Sequence, residues 1–309
     1  MSNQTTASPP EVVVVGSANL DLVVDVETIP LVGETVMGGD LRRIAGGKGA
    51  NQAVAAARLG RRVAMVGRLG ADEGGTILRR ALDRDGVDTT FLHTTADTPN
   101  GVALIAVGAD GDNAIVVSPG ANERVNPADI NAASAVIDHA SVTLLQLEIP
   151  LEAVAAAAAR STGTVILNPA PAPSGALPEG LLADVDVLVP NQTELATLAG
   201  HDGPVDRDLA AAFASDLPCR AVIVTLGADG ALVIADGQQT HVPAPMVTPV
   251  DTTAAGDSFC GGLADGLVRG LDLVEATRWA VRVGAATTQR AGAQPSLPTP
   301  LEVESLLSG

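Results

Sequence analysis

The sequence is nearly without aromatic side chains. It has no tyrosine among 309 residues, and Phe91, Phe213, Phe259 and Trp279 are its whole aromatic complement. Surfaces that stack nucleic-acid bases interleave aromatics with basic groups, and this chain offers neither in quantity. Lysine is as scarce: Lys48 stands alone beside 17 arginines, and the formal net charge is −18. Such a charge repels phosphate backbones and favours solubility. Cys219 and Cys260 are the only cysteines, too few for a disulfide framework. His93, His139, His201 and His241 are scattered without the spacing of zinc ligands. No apolar run reaches the length of a membrane span. Residues 1–10 lack the basic and apolar regions of a signal peptide. The expectation is a cytoplasmic, reduced protein with no nucleic-acid or membrane partner and a disordered tail over residues 1–10.

What the chain has in abundance is small aliphatic side chains. Hydrophobic residues make up 46% of it, mostly Ala, Val and Leu, which is ample material for a core. The length suits one large α/β unit, expected over residues 11–309. Residues 12–15 are four consecutive valines ending at Gly16, the pattern of a strand covered on both faces. Similar runs predict buried strands at 63–66, 142–147, 164–167, 185–189 and 222–226. Ala-rich stretches of helical length lie between them, at 50–59, 74–82, 151–160, 194–198 and 208–215. This alternation predicts a three-layer α/β sandwich, with a mostly parallel central sheet and helices on both faces. Ligands of such sheets bind beyond the carboxyl ends of the strands, where Asn19, Asp21, Glu148, Asn168, Asn191 and Gly227 fall.

Two regions break the rhythm. One pairs residues 22–26 with 35–38, and the other pairs 102–107 with 114–117 through the turn 108–113, a hairpin. Together, as segments of about 20–44 and 98–119, they predict a small antiparallel sheet over the site. It would serve as a lid, a dimer surface, or both.

The stretch Asp251-Thr252-Thr253-Ala254-Ala255-Gly256-Asp257-Ser258-Phe259 is the most informative in the chain. Small residues around Gly256 predict a tight turn whose backbone approaches a ligand closely. The apolar stripe Phe259, Leu263, Leu267 predicts a helix after it. That helix N-terminus offers free N–H groups and a positive dipole end to a phosphoryl group. Asp257 at this mouth reads as a helix cap or as a base that takes a proton from an attacking hydroxyl.

Four other segments carry polar groups at strand ends. Gly46-Gly47-Lys48-Gly49-Ala50-Asn51 precedes an Ala-rich helix but lacks the Gly-Lys-Ser/Thr of a Walker A loop. Its glycines suggest close approach to a small ligand, or a plain helix entry, and Asn51 is placed to bond a hydroxyl. Lys48 is given no catalytic role. Asn19 and Asp21 share one side of their strand and could grip vicinal hydroxyls of a sugar. Glu148 reads a further hydroxyl or faces solvent. Asn191 and Glu194 either cap a helix or offer oxygen to Mg²⁺. Thr225-Leu226-Gly227-Ala228-Asp229-Gly230 is a turn beside a nucleotide or an ordinary hairpin turn.

Taken in order, these segments resemble the PfkB (ribokinase-like) family of carbohydrate kinases. Gly46-Gly47-Lys48-Gly49-Ala50-Asn51-Gln52 resembles the N-terminal signature of that family, and the Asp251–Phe259 stretch its C-terminal one. The resemblance runs from about Val12 to Leu306. It is closest to the ribose-phosphorylating members through Asn19-Leu20-Asp21, Gln146-Leu147-Glu148, Asn168-Pro169-Ala170-Pro171 and Gly292-Ala293-Gln294-Pro295-Ser296. The resemblance implies transfer of phosphate from ATP to the 5-hydroxyl of D-ribose, with Asp257 as general base and the backbone of Ala254, Ala255 and Gly256 as anion hole. It implies a sugar site at Asn19, Asp21, Gly47, Lys48, Gly49, Asn51 and Glu148. It implies an ATP site at Asn191, Thr225, Gly227, Gly230, Gly256 and Val281, with Glu194 organising Mg²⁺ through water. It also implies an activating K⁺ near Asp251, Thr253, Thr287, Arg290, Gly292 and Ser296, and a homodimer through the lid sheet.

The chain departs from the family pattern at Val281, where relatives often carry His or Asn beside the adenine, and at Cys260, where many carry Asn. Deoxyribose, another sugar or a nucleoside is the alternative substrate. A nucleoside would need an aromatic platform, and only Phe91 lies near the lid. A sugar sensor without turnover is the alternative of another class, but a sensor has no use for Asp257.

Overall fold

Val12–Val15 is the hub of the structure, and none of its four valines has measurable exposure. The structure is a computed structural model that describes residues 8–173, 175 and 177–307. Most of the expected disordered tail, residues 1–7, lies outside the described residues. Each valine pairs in parallel register with Val63–Gly70 on one side and Val142–Leu145 on the other. Side chains alternate between faces. Val12 and Val14 therefore enter one aliphatic core and Val13 and Val15 another, on opposite sides of the sheet. Two cores with helices outside them make the three layers that the sequence predicts.

Among the described residues the large sheet has nine strands. From edge to edge they are Gln238–Val242, Ala231–Ala235, Ala221–Thr225, Val187–Leu188, Thr164–Leu167, Val142–Leu145, Val12–Val15, Val63–Gly70 and Leu92–Thr95. All pairings are parallel except the last two at the Gln238 edge, which are antiparallel. The sequence pattern does not mark the edge strands Leu92–Thr95 and Gln238–Val242, the strand Ala231–Ala235 next to the latter, or the helix Leu273–Thr287. No helix among the described residues is long and apolar enough to cross a membrane.

The second sheet runs Arg42–Gly46, Asn19–Asp25, Gly101–Val107 and Asn113–Ser118. Its hairpin around residues 108–113 is as expected. Two features differ from the sequence reading. Asn19–Asp25 pairs with Gly101–Val107 in parallel, so the small sheet is mixed. Its other partner is Arg42–Gly46, whereas residues 35–38 contribute only one bridge, Val26 to Gly38. The backbone at Gly38 comes so close to the strand that a Cβ there would meet Val24 Cγ1 at 2.3 Å. That approach leaves no room for a regular strand with side chains.

Only Gly16, Ser17 and Ala18 separate the central strand of the large sheet from Asn19–Asp25 of the small one. The polar ends of both sheets therefore face one space. The helices Lys48–Arg58 and Ala255–Val268 close that space from the side of the Val12 and Val14 core.

Candidate active site

The helix Ala255–Val268 begins abruptly. Ala254, its N-cap, is left-handed at φ 59°, and no side chain caps the helix. The first N–H groups of any helix lack intrahelical partners. Here Ala255 N–H turns back to Thr252 O, and Ser258 N–H closes the first turn on Ala254 O. The N–H groups of Gly256 and Asp257 are the ones left for a ligand, at the positive end of the dipole. Gly256 is helical, and a Cβ there would meet no protein atom within 4 Å. Its missing side chain is thus not demanded by a tight turn, as the sequence suggests. It leaves open space in front of the helix.

Asp257 does not cap the helix. Its carboxylate turns inward, where Asn51 Nδ2 donates to Oδ2 at 2.9 Å and Gln52 Nε2 donates to Oδ1 at 3.2 Å. Both donors lie in the first half of Lys48–Arg58, so one helix delivers the acid and the other its two amides. Gly261, one turn beyond Asp257, makes the approach possible. A Cβ at Gly261 would meet Ala55 Cβ at 2.6 Å, closer than two helices bearing side chains can come. Asp257 is only 7% exposed. Burial pushes its acid up, against the ammonium of Lys48 and the two amide hydrogen bonds, while Glu148 adds to the rise.

Asn19 and Asp21 are both buried on the same side of their strand. Glu148 is not a free surface acid. Its Oε2 accepts from Ser17 Oγ at 2.6 Å, from Lys48 N–H at 3.0 Å and, at the limit of 3.5 Å, from Asn19 Nδ2. Asn122 donates to Asn19 Oδ1 at 2.7 Å, which fixes that amide. Asp21 is pushed up to about 7, first by burial and then by the nearby Glu148 and Asp257. The glycines beside this cluster are required by close packing within the chain itself. A Cβ at Gly46 would meet Asp21 Oδ2 at 2.2 Å, at Gly47 it would meet Asn19 N at 2.5 Å, and at Gly49 Ser17 N at 2.6 Å. The chain's own backbone and Asp21 fill that space, and Gly47 also needs its φ of 90°.

Two cavities meet at the helix mouth. One, of about 420 Å³, is lined by Thr225, Gly227, Gly230, Met246, Gly256, Val281 and other mainly apolar residues. The other, of about 230 Å³, is lined by Lys48, Asn168, Asn191, Glu194, Asp257 and Cys260 among others. Thr225, Thr252 and Gly256 line both. Thr225 to Gly230 is at once a hairpin turn and a cavity wall, so its two readings are compatible. Val281 is buried in the wall of the larger cavity. Lys48 is more engaged than its sequence position suggests. Burial acts to lower its ammonium, but Asp257, Glu148 and Glu194 outweigh this and hold it protonated above its usual value.

Asn191 and Glu194 form a capping box: Asn191 Oδ1 accepts from Glu194 N–H and Glu194 Oε2 accepts from Asn191 N–H, each at 2.8 Å. The cap and a role at the cavity coexist, because Glu194 also lines the polar space. Burial pushes its acid up, partly opposed by the Asn191 N–H and Lys48. Among the described residues no cluster of three or more His, Cys, Asp or Glu side chains could hold a metal ion. A single carboxylate facing a cavity fits Mg²⁺, which keeps several waters and takes substrate phosphates as ligands.

Asp251, Thr253, Thr287, Arg290, Gly292 and Ser296 come together around one loop. Asp251 accepts from Thr253 N–H at 2.8 Å and from Gly292 N–H at 2.7 Å. Burial alone would push its acid up, but these hydrogen bonds outweigh it and hold the acid below the usual range. Arg290 donates to Ser296 O at 2.9 Å and to Glu302 at 2.7 Å, and its N–H reaches Thr287 O at 3.3 Å. Both terminal nitrogens of the guanidinium are thus occupied, and carbonyl oxygens with one carboxylate are the groups that suit a hard cation here.

Gln52, Asn122, Gln146 and Asn168 are the site residues to which sequence reasoning assigns no role. Gln52 carries the clearest signal, a long polar side chain within an otherwise small, apolar helix face.

Comparison with known proteins places these features in a known setting. Residues 9–300 match the model of the pfkB family of carbohydrate kinases. Bacillus subtilis ribokinase is 39% identical over 298 residues, which cover 96% of this chain and 98% of that enzyme. Salmonella typhi deoxyribokinase is 37% identical over 305 residues, covering 96% and 99% respectively. The solved structure of Arabidopsis thaliana ribokinase complexed with ribose and ATP aligns with a TM-score of 0.86 at 33% identity. That alignment covers 98% of this chain and 100% of that one.

Proposed function

The chain belongs to the pfkB family of carbohydrate kinases, and we propose that it transfers the γ-phosphoryl group of ATP to the 5-hydroxyl of D-ribose, giving D-ribose 5-phosphate. One observation carries this reading: a single helix N-terminus presents Gly256 to both cavities and Asp257 to the polar one. Ribose would lie against Asn19, Asp21, Asn51, Glu148 and the backbone of Gly47 to Gly49. ATP would enter the larger cavity, with its base against Val281 and its phosphates passing Thr225, Gly227, Gly230 and Asn191. Asp257 would take the proton of the 5-hydroxyl as that oxygen bonds to phosphorus and ADP leaves. The free N–H groups after Ala254 would stabilise the charge on the transferred group. Lys48 supplies the one ammonium in the polar cavity, where it can balance phosphate charge.

Mg²⁺, when bound through water to Glu194, would supply charge neutralisation on the phosphates. K⁺, held mainly by carbonyl oxygens around Asp251, Thr287 and Ser296, would order the loop that feeds the anion hole. The small sheet would act as a lid. Its edge strand Asn113–Ser118 carries exposed Ile115, Val116 and Val117, with Leu104 exposed beside it. A second copy paired along this edge would cover them, which supports a homodimer contact through the small sheet. Cys219 and Cys260 are both free thiols, which suits the reducing cytoplasm.

Coupled ADP release with Mg·ATP tests the reading, across ribose, deoxyribose, fructose and adenosine, in potassium and in sodium. Ribose-dependent release that is raised by potassium and abolished in Asp257→Asn is expected. Turnover confined to deoxyribose or another substrate would keep the chemistry and overturn the ribose assignment. Ribose binding without turnover would make the protein a sensor.

A further inference from the structure

Two glutamine side chains are sealed behind Asp257, where no substrate can touch them. Gln52 and Gln146 both have zero exposure. Burying one primary amide is costly unless its groups are paired, so two in contact call for a reason. Gln146 Nε2 donates to Gln52 Oε1 at 2.6 Å. With its oxygen engaged by a donor, Gln52 must turn its Nε2 the other way. That nitrogen meets Asp257 Oδ1 at 3.2 Å and Asn168 Oδ1 at 3.3 Å. The chain therefore fixes which end of the Gln52 amide faces the acid.

Gly16 is built around the same chain. A Cβ at position 16 would lie 2.0 Å from Gln146 Oε1, so the strand end gives up its side chain to seat the second amide. Gln146 Oε1 has no hydrogen-bond partner among the described residues, so its place is held by packing and by the bond at its other end. Gln52 faces the sugar site only through Asp257 and has no exposed surface of its own.

We propose that Gln52, locked in orientation by Gln146 over Gly16, is a positioning residue for Asp257, holding one carboxylate oxygen so that the other faces the hydroxyl it deprotonates. The proposal rests on the kinase reading of the site. Its physical content is that a carboxylate rotates about its last bond unless both oxygens are held, and a misaimed base loses rate more than affinity. The charged and titratable groups that face Asp257 are Lys48, Glu148, Asp21, Glu194 and Cys260. Among the described residues, the Gln52 amide bonds only to Asp257, Asn168 and Gln146, and to none of these other groups.

Three variants at increasing distance test it: Gln52→Met, Gln146→Met and Gly16→Ala. Gln52→Met should lower kcat about tenfold to a hundredfold with the sugar KM changed less than about threefold. It should also move the acidic limb of the kcat profile to higher pH, because a hydrogen bond that favours the ionised acid is gone. Gln146→Met and Gly16→Ala should do the same in smaller measure, about threefold to tenfold in kcat. A readout without substrate accompanies these, the ¹³C titration of the Asp257 carboxyl, assigned by its loss in Asp257→Asn. It should shift upward in Gln52→Met and, less, in Gln146→Met. If the variants only lower the melting temperature, leaving both titrations in place, the positioning role is overturned. If the carboxyl titration shifts although the wild type turns over no sugar, the positioning role stands and the kinase reading fails.

Discussion

Asn51 Nδ2 lies 2.9 Å from Asp257 Oδ2 and so joins residues 206 positions apart in the chain. The bond uses only half of the Asn51 amide. Its Oδ1 is buried and has no partner among the described residues. An unpaired buried acceptor costs roughly 1–3 kcal/mol, so its presence beside the base is best explained by a hydroxyl that arrives with substrate. The same side chain then holds the base and reads the molecule that the base attacks. Asn51→Leu removes both functions while keeping the volume. We expect the sugar KM to rise and kcat to fall, each by about tenfold or more. A change in kcat alone, with sugar affinity intact by calorimetry, would show that Oδ1 meets no hydroxyl.

Asp257→Asn keeps the shape and removes the base. The expected loss in kcat is about 10²- to 10⁴-fold, with the sugar KM moved less than about threefold. Stability should change little. The substitution ends the burial of a charge but sets an amide N–H against Asn51 or Gln52, both already donors. A melting temperature within about 4 °C of the wild type is expected. Activity retained at more than a tenth would remove Asp257 from its assigned role.

Asp21 links stability to pH. Its acid is pushed up to about 7 in the folded protein, by burial first and then by Glu148 and Asp257. The unfolded chain has it near about 4. Folding therefore favours the protonated form, and that stabilisation is complete below about pH 4 and lost as the pH climbs to about 7. Asp21→Asn is neutral throughout and escapes the loss. Relative to wild type it should gain roughly 2–4 kcal/mol between pH 4 and pH 8, read from urea midpoints at each pH. Its sugar KM should rise, since a carboxyl oxygen that grips hydroxyls is replaced by an amide nitrogen that can only donate. Parallel pH dependences for the two proteins would contradict the raised acid.

The fold was readable where burial made the pattern simple. Val12 to Val15 is continuous because both faces are covered, and the helix after Asp257 shows its stripe through Phe259 and Leu263. The edge strand Gln238–Val242 was not readable, because its exposed Gln238 and Gln239 dilute the apolar signal. Residues 35–38 misled because extended, apolar composition does not reveal that Gly38 presses against Val24. Within the site, Asp257, Asn51, Asn19 and Asp21 stand out as polar residues at strand or helix ends. What local sequence could not tell is which glycines face ligand and which face protein. Gly47 and Gly49 read as a ligand loop, and the structure adds a reason local sequence does not carry: Asn19 and Ser17 occupy the space their side chains would fill. Gln52 stayed hidden because its partners, Gln146 and Asp257, are 94 and 205 residues away.

The edge of the small sheet predicts an oligomer. Val116 is 65% exposed on the outermost strand, and Ile115 and Val117 flank it. An apolar edge of this kind invites another strand, and a charge there forbids it. Wild-type protein should sediment as a dimer, and Val116→Glu as a monomer. Sedimentation of both as monomers would leave the small sheet without the partner assigned to it.

Two glycines on one helix give opposite predictions. At Gly261 a methyl group would strike Ala55 Cβ at 2.6 Å, and at Gly256 it would strike nothing. Gly261→Ala must push the helix Ala255–Val268 away from Lys48–Arg58, which costs about 1–3 kcal/mol by overpacking. That movement also draws Asp257 from Asn51 and Gln52, so stability and activity should fall together. Gly256→Ala should do the reverse to stability. An alanine in a helix is favoured over glycine by up to about 1 kcal/mol, and the site asks for no positive φ. Yet Gly256 lines both cavities at the point where they meet, where the transferred group would pass. We expect Gly256→Ala to melt no lower than the wild type and to lose about a hundredfold or more in kcat/KM for ATP. Thermal melts and steady-state kinetics on the two variants separate the roles. Full activity in Gly256→Ala would mean that the phosphoryl group does not cross this helix mouth.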